Sequence, residues 1–107
     1  MKKPLARVGA VGEANIAAFK AAGAMPEYVQ VGNEIIQGLL WPDGKVGGRS
    51  DTTAQWQKLG VLLKAAIRGI KDAAGNTPPK IMLHIDRGGD WAVAVPAVQC
   101  TSAARPA

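Results

Sequence analysis

Two apolar runs in this chain end in residues able to do acid–base chemistry or to hydrogen-bond a ligand. The first, Glu27-Tyr28-Val29-Gln30-Val31-Gly32, leads into Asn33-Glu34; the second, Lys80-Ile81-Met82-Leu83-His84-Ile85-Asp86, carries His84 and closes on Asp86. Paired carboxyls are what glycoside hydrolysis uses: one acts as acid and the other as nucleophile or base, roughly 5 to 9.5 Å apart. On adjacent parallel strands, about 4.8 Å from each other, Asn33, Glu34, His84 and Asp86 converge on one pocket, and Glu34 pairs with Asp86. Trp41 and Trp91 stand just beyond the two run ends, where an indole face can stack on a sugar ring. These two are candidate sugar platforms.

Position alone leaves plainer roles open. Glu34 serves equally well as the first carboxylate of a solvent-facing loop. A lone His84 is more often a hydrogen-bonded core histidine than a ligand, and Asp86 is placed to cap the Arg87-Gly88-Gly89 loop. Other chemistries find less support. Zinc needs more ligands than one histidine and one cysteine supply. A Ser-His-Asp triad has no Gly-x-Ser-x-Gly elbow to hold it. Gly44-Lys45 lacks the spacing and the following Ser or Thr of a phosphate loop.

The elements that must position these residues follow from periodicity. Residues 13–22 read as a helix with Ile16, Phe19 and Ala22 or Gly23 on one face, stopped at Gly23. Residues 1–12, with Pro4, Gly9 and Gly12, show no clear period. Residues 27–32 form a short strand covered on both sides, and 35–50 a loop rich in Gly, Pro and Asp. Asp51 or Thr52 caps a long helix over about 53–74, whose apolar stripe is Trp56, Leu59, Leu62, Leu63, Ala66, Ile67 and Ile70; Trp56 is therefore core. Gly75-Asn76 and Pro78-Pro79 end it. Residues 80–86 form the second strand, with Ile81, Leu83 and Ile85 on one face. The stretch 92–107 has no assignable element. Helix, strand, helix, strand makes an α/β chain whose centre is a parallel βαβ unit with a preceding helix. In such folds, ligands gather at the carboxyl edge of the strands, where the four polar residues fall.

Composition bounds the rest. At 107 residues the chain is one domain at most. Its 48% hydrophobic and 20% charged content is that of a globular chain. The net charge of +5 admits nucleic acid as a partner, but the basic residues are scattered, apart from Lys64, Arg68 and Lys71 at helical spacing. No nucleic-acid partner is expected. Cys100 is the only cysteine, which rules out an internal disulfide. With no 18-residue apolar run, no membrane partner is expected. Met1-Lys2-Lys3 imitates the basic start of an export signal, yet Arg7 and Glu13 interrupt the apolar stretch such a signal requires.

Set side by side, Pro26-Glu27-Tyr28-Val29-Gln30-Val31-Gly32-Asn33-Glu34-Ile35, Gly38-Leu39-Leu40-Trp41-Pro42-Asp43-Gly44 and Lys80-Ile81-Met82-Leu83-His84-Ile85-Asp86-Arg87-Gly88-Gly89-Asp90 resemble glycoside hydrolase family 53, the arabinogalactan endo-β-1,4-galactanases. Leu62-Leu63-Lys64-Ala65-Ala66-Ile67-Arg68 fits between them, and the likeness runs from about 14 to 91. Asn-Glu at a strand end is common to many retaining barrel glycosidases; its combination with Gly-x-Leu-Trp-Pro and His-Ile-Asp is far more specific. The resemblance implies a partial (β/α)8 TIM barrel, of which 27–34 is the fourth strand and 80–86 the fifth. It implies retaining cleavage of internal β-1,4-galactosidic bonds in the galactan of pectin, with no cofactor. Glu34 becomes the general acid/base, Asn33 a contact to the sugar 2-hydroxyl, and His84, Asp86, Trp41 and Trp91 substrate-site residues. Asp86 thereby gives up the role of catalytic partner, because the family nucleophile is a glutamate of a later strand with no counterpart here. Full-length members are exported; this chain shows no clear signal. Residues 1–12 and 92–107 depart from the family pattern, as a truncated or frame-shifted reading frame would explain; barrel strands encoded in the flanking DNA would bear this out. The alternatives are a non-catalytic carbohydrate-binding α/β module and, on the enzymatic side, a piece of another retaining barrel glycosidase.

Overall fold

The computed structural model describes residues 2–86, 89–90 and 95–96. The rest of the stretch 92–107, for which no element was expected, lies outside the described residues. The chain opens on a helix, α1 (Lys2–Ala21), which begins eleven positions before the expected 13–22. Pro4 does not prevent this, because the first turn has no intrahelical N–H partner to lose. Gly9 and Gly12 are the cause of the missing period. They stand where apolar residues would mark the buried face, on the line Val8–Gly12–Ile16. A methyl group at Gly12 would lie 2.9 Å from the Ala66 carbonyl oxygen, and one at Gly69 would collide with the Gly9 carbonyl oxygen. The helix is thus pressed backbone to backbone against the next one, and glycine is the contact residue. The same rotation corrects the expected apolar face: Ile16 is buried, whereas Phe19 is 51% exposed and Ala22 is exposed.

After Gly23 the chain enters the short strand β1 (Tyr28–Gln30). The expected loop 35–50 is more structured than its composition suggested. It holds a 3-10 turn at Ile35–Gln37, an antiparallel hairpin of β2 (Gly38–Leu39) and β3 (Gly44–Lys45), and a second 3-10 turn at Gly48–Ser50. Ile35 and Val46 are the anchors of this segment, each almost wholly buried.

The long helix α2 (Thr53–Ala74) lies where the apolar stripe put it, with Leu59, Leu62, Leu63, Ala66, Ile70 and Ala74 buried. Trp56 packs against the core only at its edge, its indole N–H donating to Asp51 Oδ1 at 2.7 Å. Gln55, at the start of the helix, reaches back and donates from Nε2 to the Lys45 carbonyl at 2.9 Å, pinning the hairpin to α2. Of the two expected caps, Thr52 holds the position: its hydroxyl accepts from the Gln55 amide at 3.2 Å. Thr52→Ala leaves that amide without its partner and should cost about 1 kcal/mol, read as a lower urea midpoint at unchanged slope; an unchanged midpoint refutes the cap.

The final described strand is β4 (Lys80–Met82), and it pairs parallel with β1 in the register Tyr28 with Lys80, Val29 with Ile81 and Gln30 with Met82. Parallel strands joined through α2 give the expected βαβ unit. Ile81, Leu83 and Ile85 pack against the cluster formed by Ile16, Val31, Ile35, Leu59, Leu63 and Ile70. The opposite face is open, with Tyr28 53% and Met82 43% exposed, so the reading of a strand covered on both sides does not hold for this chain. The two helices contribute to the cluster on the other face.

Candidate active site

Both strands stop short of the expected 27–34 and 80–86, and the way the first stops creates the site. The ladder runs through Lys80 N–H to Glu27 O at 2.8 Å and Val31 N–H to Met82 O at 3.0 Å. Donors recur every second residue in a parallel ladder, so Asn33 should be next. Instead Ile35 donates to His84 O at 2.9 Å. Two extra residues are accommodated, and Gly32-Asn33-Glu34 bulges from the carboxyl edge of β1. Bulges of this kind re-aim side chains beside functional sites.

The bulge needs unusual backbone. Gly32 has φ 77, and a methyl group there would lie 2.6 Å from Ile35 Cγ2; glycine lets the buried isoleucine fold beneath the loop. Glu34 adopts φ 48, ψ 55, the left-handed region, which costs a non-glycine residue on the order of 1–2 kcal/mol. Its carboxyl makes no capping hydrogen bond and the residue is exposed. The glutamate is thus held in strained backbone with its carboxyl free of a capping task.

Asn33 and His84 are brought together, as convergence of the strand ends required. His84 Nδ1 lies 2.9 Å from Asn33 Oδ1. Gln30, which sequence reasoning passed over as an ordinary strand residue, also takes part: its Nε2 donates to Gly32 O at 2.8 Å and to Asn33 Oδ1 at 3.3 Å. The available signal was its i, i+3 spacing to Asn33 across the Gly32 turn. Asn33 Oδ1 is thus engaged twice.

Asp86 is exposed at the turn following β4 and takes no part in the hydrogen bonds that join Gln30, Asn33 and His84. Trp41 occupies the hairpin tip. Its Nε1 donates to Gln37 O at 3.0 Å, Lys45 Nζ sits 4.2 Å from the ring centroid, and the residue is 56% exposed. The cation sits over one face of the ring; Trp41 also lines a concavity with Pro4, Arg7 and Val11 of α1. Trp91 lies outside the described residues. Among the described residues no three His, Cys, Asp or Glu side chains group to hold a metal ion. A concavity of about 490 Å³ between Met25–Tyr28 and Thr77–Lys80 lies at the amino ends of the strands. Its lining includes Pro26, Tyr28, Pro78, Pro79 and Lys80 and none of Asn33, Glu34 or His84.

Comparison with known proteins bears on this arrangement. The sequence profile described as Glycosyl hydrolase family 53 matches residues 9–104. The arabinogalactan endo-beta-1,4-galactanase of Humicola insolens is 45% identical over 73 residues, covering 68% of this chain and 20% of that protein. Its namesake from Thermothelomyces thermophilus is 46% identical over 70 residues, covering 65% and 19%. A solved structure from work on two fungal beta-1,4-galactanases superposes with a TM-score of 0.79 at 33% identity, over 94% of this chain and 28% of that one. The chain spans about a fifth of the length of the curated relatives it matches.

Proposed function

Because the chain belongs to glycosyl hydrolase family 53, we propose that it carries the acid/base half of a retaining endo-β-1,4-galactanase site. Its parallel βαβ unit with a leading helix is part of a (β/α)8 barrel. The observation that carries the reading is the Asn33-Glu34 bulge at the carboxyl edge of β1, with Asn33 hydrogen-bonded to His84 of the neighbouring strand end.

The roles follow from the chemistry. Glu34 protonates the departing glycosidic oxygen and later deprotonates water. A retaining mechanism places the second carboxyl about 5 Å from it, and in this reading a glutamate from a later barrel strand supplies it. Asn33 donates from Nδ2 to the 2-hydroxyl of the sugar at the cleaved bond. Trp41 offers a ring face to a neighbouring galactosyl unit; His84, Asp86 and Trp91 line the cleft. The partner is a β-1,4-galactan, and the whole enzyme is exported to reach it.

Removing a stacking aromatic costs about 0.5–1.5 kcal/mol. Trp41→Ala should therefore weaken binding of a β-1,4-galacto-oligosaccharide roughly 2- to 12-fold, measured by calorimetry against mannan- and cellulose-derived oligosaccharides as controls. Equal binding of all three sugars would remove the galactan assignment, and unaltered binding by the variant would remove Trp41 from the site. The exposed indole also supports a second reading, a carbohydrate-binding module. Binding without cleavage, even after the chain is refolded with the remaining strands of a barrel, would favour it.

A further inference from the structure

A main-chain carbonyl can only accept a hydrogen bond. That fact, applied at Gly32, propagates through the site. Gln30 places one end of its amide 2.8 Å from Gly32 O, so that end is the NH2 group. Its second hydrogen faces Asn33 at 3.3 Å, so the Asn33 atom there is the accepting Oδ1. His84 Nδ1 meets the same Oδ1 at 2.9 Å, so it must carry the proton. The sense of the whole relay is set by one backbone carbonyl, which removes the usual ambiguity of amide orientation and imidazole tautomer.

We propose that Gln30 is a positioning residue that fixes the proton of neutral His84 on Nδ1, and so fixes the polarity the Asn33–His84 pair presents to a sugar: donor from Asn33 Nδ2, acceptor at His84 Nε2. The specificity claim rests on the galactanase reading; the relay itself does not. A ring matches this polarity when one hydroxyl accepts from Asn33 while another donates to His84. A deoxy or methylated sugar at either place leaves a polar group unpaired, a mismatch that discriminates strongly.

The test exploits His84 being the only histidine in the chain, so its ¹⁵N imidazole signals need no assignment. At about pH 9, above the range where histidines titrate, the native chain should show a protonated, pyrrole-type Nδ1 and an unprotonated, pyridine-type Nε2. Gln30→Leu removes the donor that fixes Asn33, and both nitrogens should move to intermediate shifts as the tautomers mix. Gln30→Glu replaces the donor with an acceptor-only carboxylate, which the Gly32 carbonyl repels; Asn33 again loses the partner that fixes it, and the two nitrogens should likewise move to intermediate shifts. A purely structural Gln30 would change the thermal midpoint and not the tautomer. A native Nε2–H form overturns the proposal even if neither variant folds, as does a Nδ1–H form that both variants retain. A galacto-oligosaccharide titration on the native sample tests the other layer. Shifts confined to Nε2 and the Asn33 amide support the stated polarity. A sugar that perturbs neither, alongside the expected tautomers, removes the sugar-recognition claim and leaves the relay standing.

Discussion

The purified 107-residue chain is expected to release no reducing ends from soluble β-1,4-galactan. Retaining hydrolysis needs two carboxyls on opposite faces of one glycosidic bond. In the proposed reading Glu34 is one, and the other is a glutamate of a later barrel strand. The second arm restores what the reaction needs. Co-refolding the chain with a polypeptide carrying the remaining barrel strands of a family relative should recover galactan cleavage. In that reconstituted enzyme Glu34→Gln should lower kcat on the order of 10²- to 10⁴-fold, the usual contribution of a positioned acid/base, with little change in KM. The substituted amide cannot transfer a proton but keeps the size and backbone of the bulge. Added azide or another small nucleophile, which bypasses the base in the second half of a retaining reaction, should return part of the lost rate on a substrate with a good leaving group. Turnover by the chain alone, abolished by Glu34→Gln, would defeat the half-site account; a reconstituted enzyme indifferent to Glu34→Gln would defeat the acid/base assignment.

The second large effect concerns the helix crossing, and its sign is the point of interest. Gly69 lies within α2, where glycine is about 1 kcal/mol worse than alanine, so propensity alone makes Gly69→Ala stabilising. Packing reverses the sign. The new methyl group would collide with the Gly9 carbonyl oxygen and stand 3.2 Å from the Glu13 nitrogen. These are backbone atoms that cannot swing aside, so α1 must shift bodily away from α2. Overpacking of this kind costs typically about 1–3 kcal/mol, and set against the propensity gain of about 1 kcal/mol the net change should be a loss of about 1 kcal/mol. For a domain whose total stability is on the order of 5–15 kcal/mol, the urea midpoint followed by tryptophan fluorescence should fall clearly. Lys58→Ala, on the exposed face of the same helix, should stay within about 0.5 kcal/mol. A Gly69→Ala chain more stable than its parent would show that the helices are not in backbone contact.

How legible was this in the sequence? The α2 helix was, because Leu59, Leu62, Leu63, Ala66 and Ile70 repeat at its period and Thr52 and Gly75 mark its ends. The first twelve residues were not, because the buried face of α1 is written in glycine, which periodicity counts as a break and a close helix crossing needs as a contact. Apolar runs located both strands but overstated their length, since hydrophobicity continues through Val31 and Ile85 while the ladder is interrupted by the bulge. The hairpin at Gly38–Lys45 was hidden for the opposite reason: its turn residues were plain, but its strands are two residues long. In the candidate site, residue type together with place at a strand end brought Asn33, Glu34 and His84 forward. Gln30 went unnoticed because its part depends on which way an amide points, and that is settled only when the Gly32 carbonyl is seen beside it.

The two hydrogen bonds that bracket the bulge, from Val31 N–H to Met82 O and from Ile35 N–H to His84 O, are both between main-chain atoms. Neither asks anything of the side chains at positions 33 and 34. The loop is held open chiefly by its backbone and by the isoleucine beneath it, while the proposed chemistry hangs from side chains at its tip. Inheritance can therefore vary the two independently. New side chains at 33 and 34 can explore other reactions without first unmaking the fold, and a laboratory library confined to those two codons should yield mostly folded, mostly inert proteins, the starting material from which another specificity could be selected.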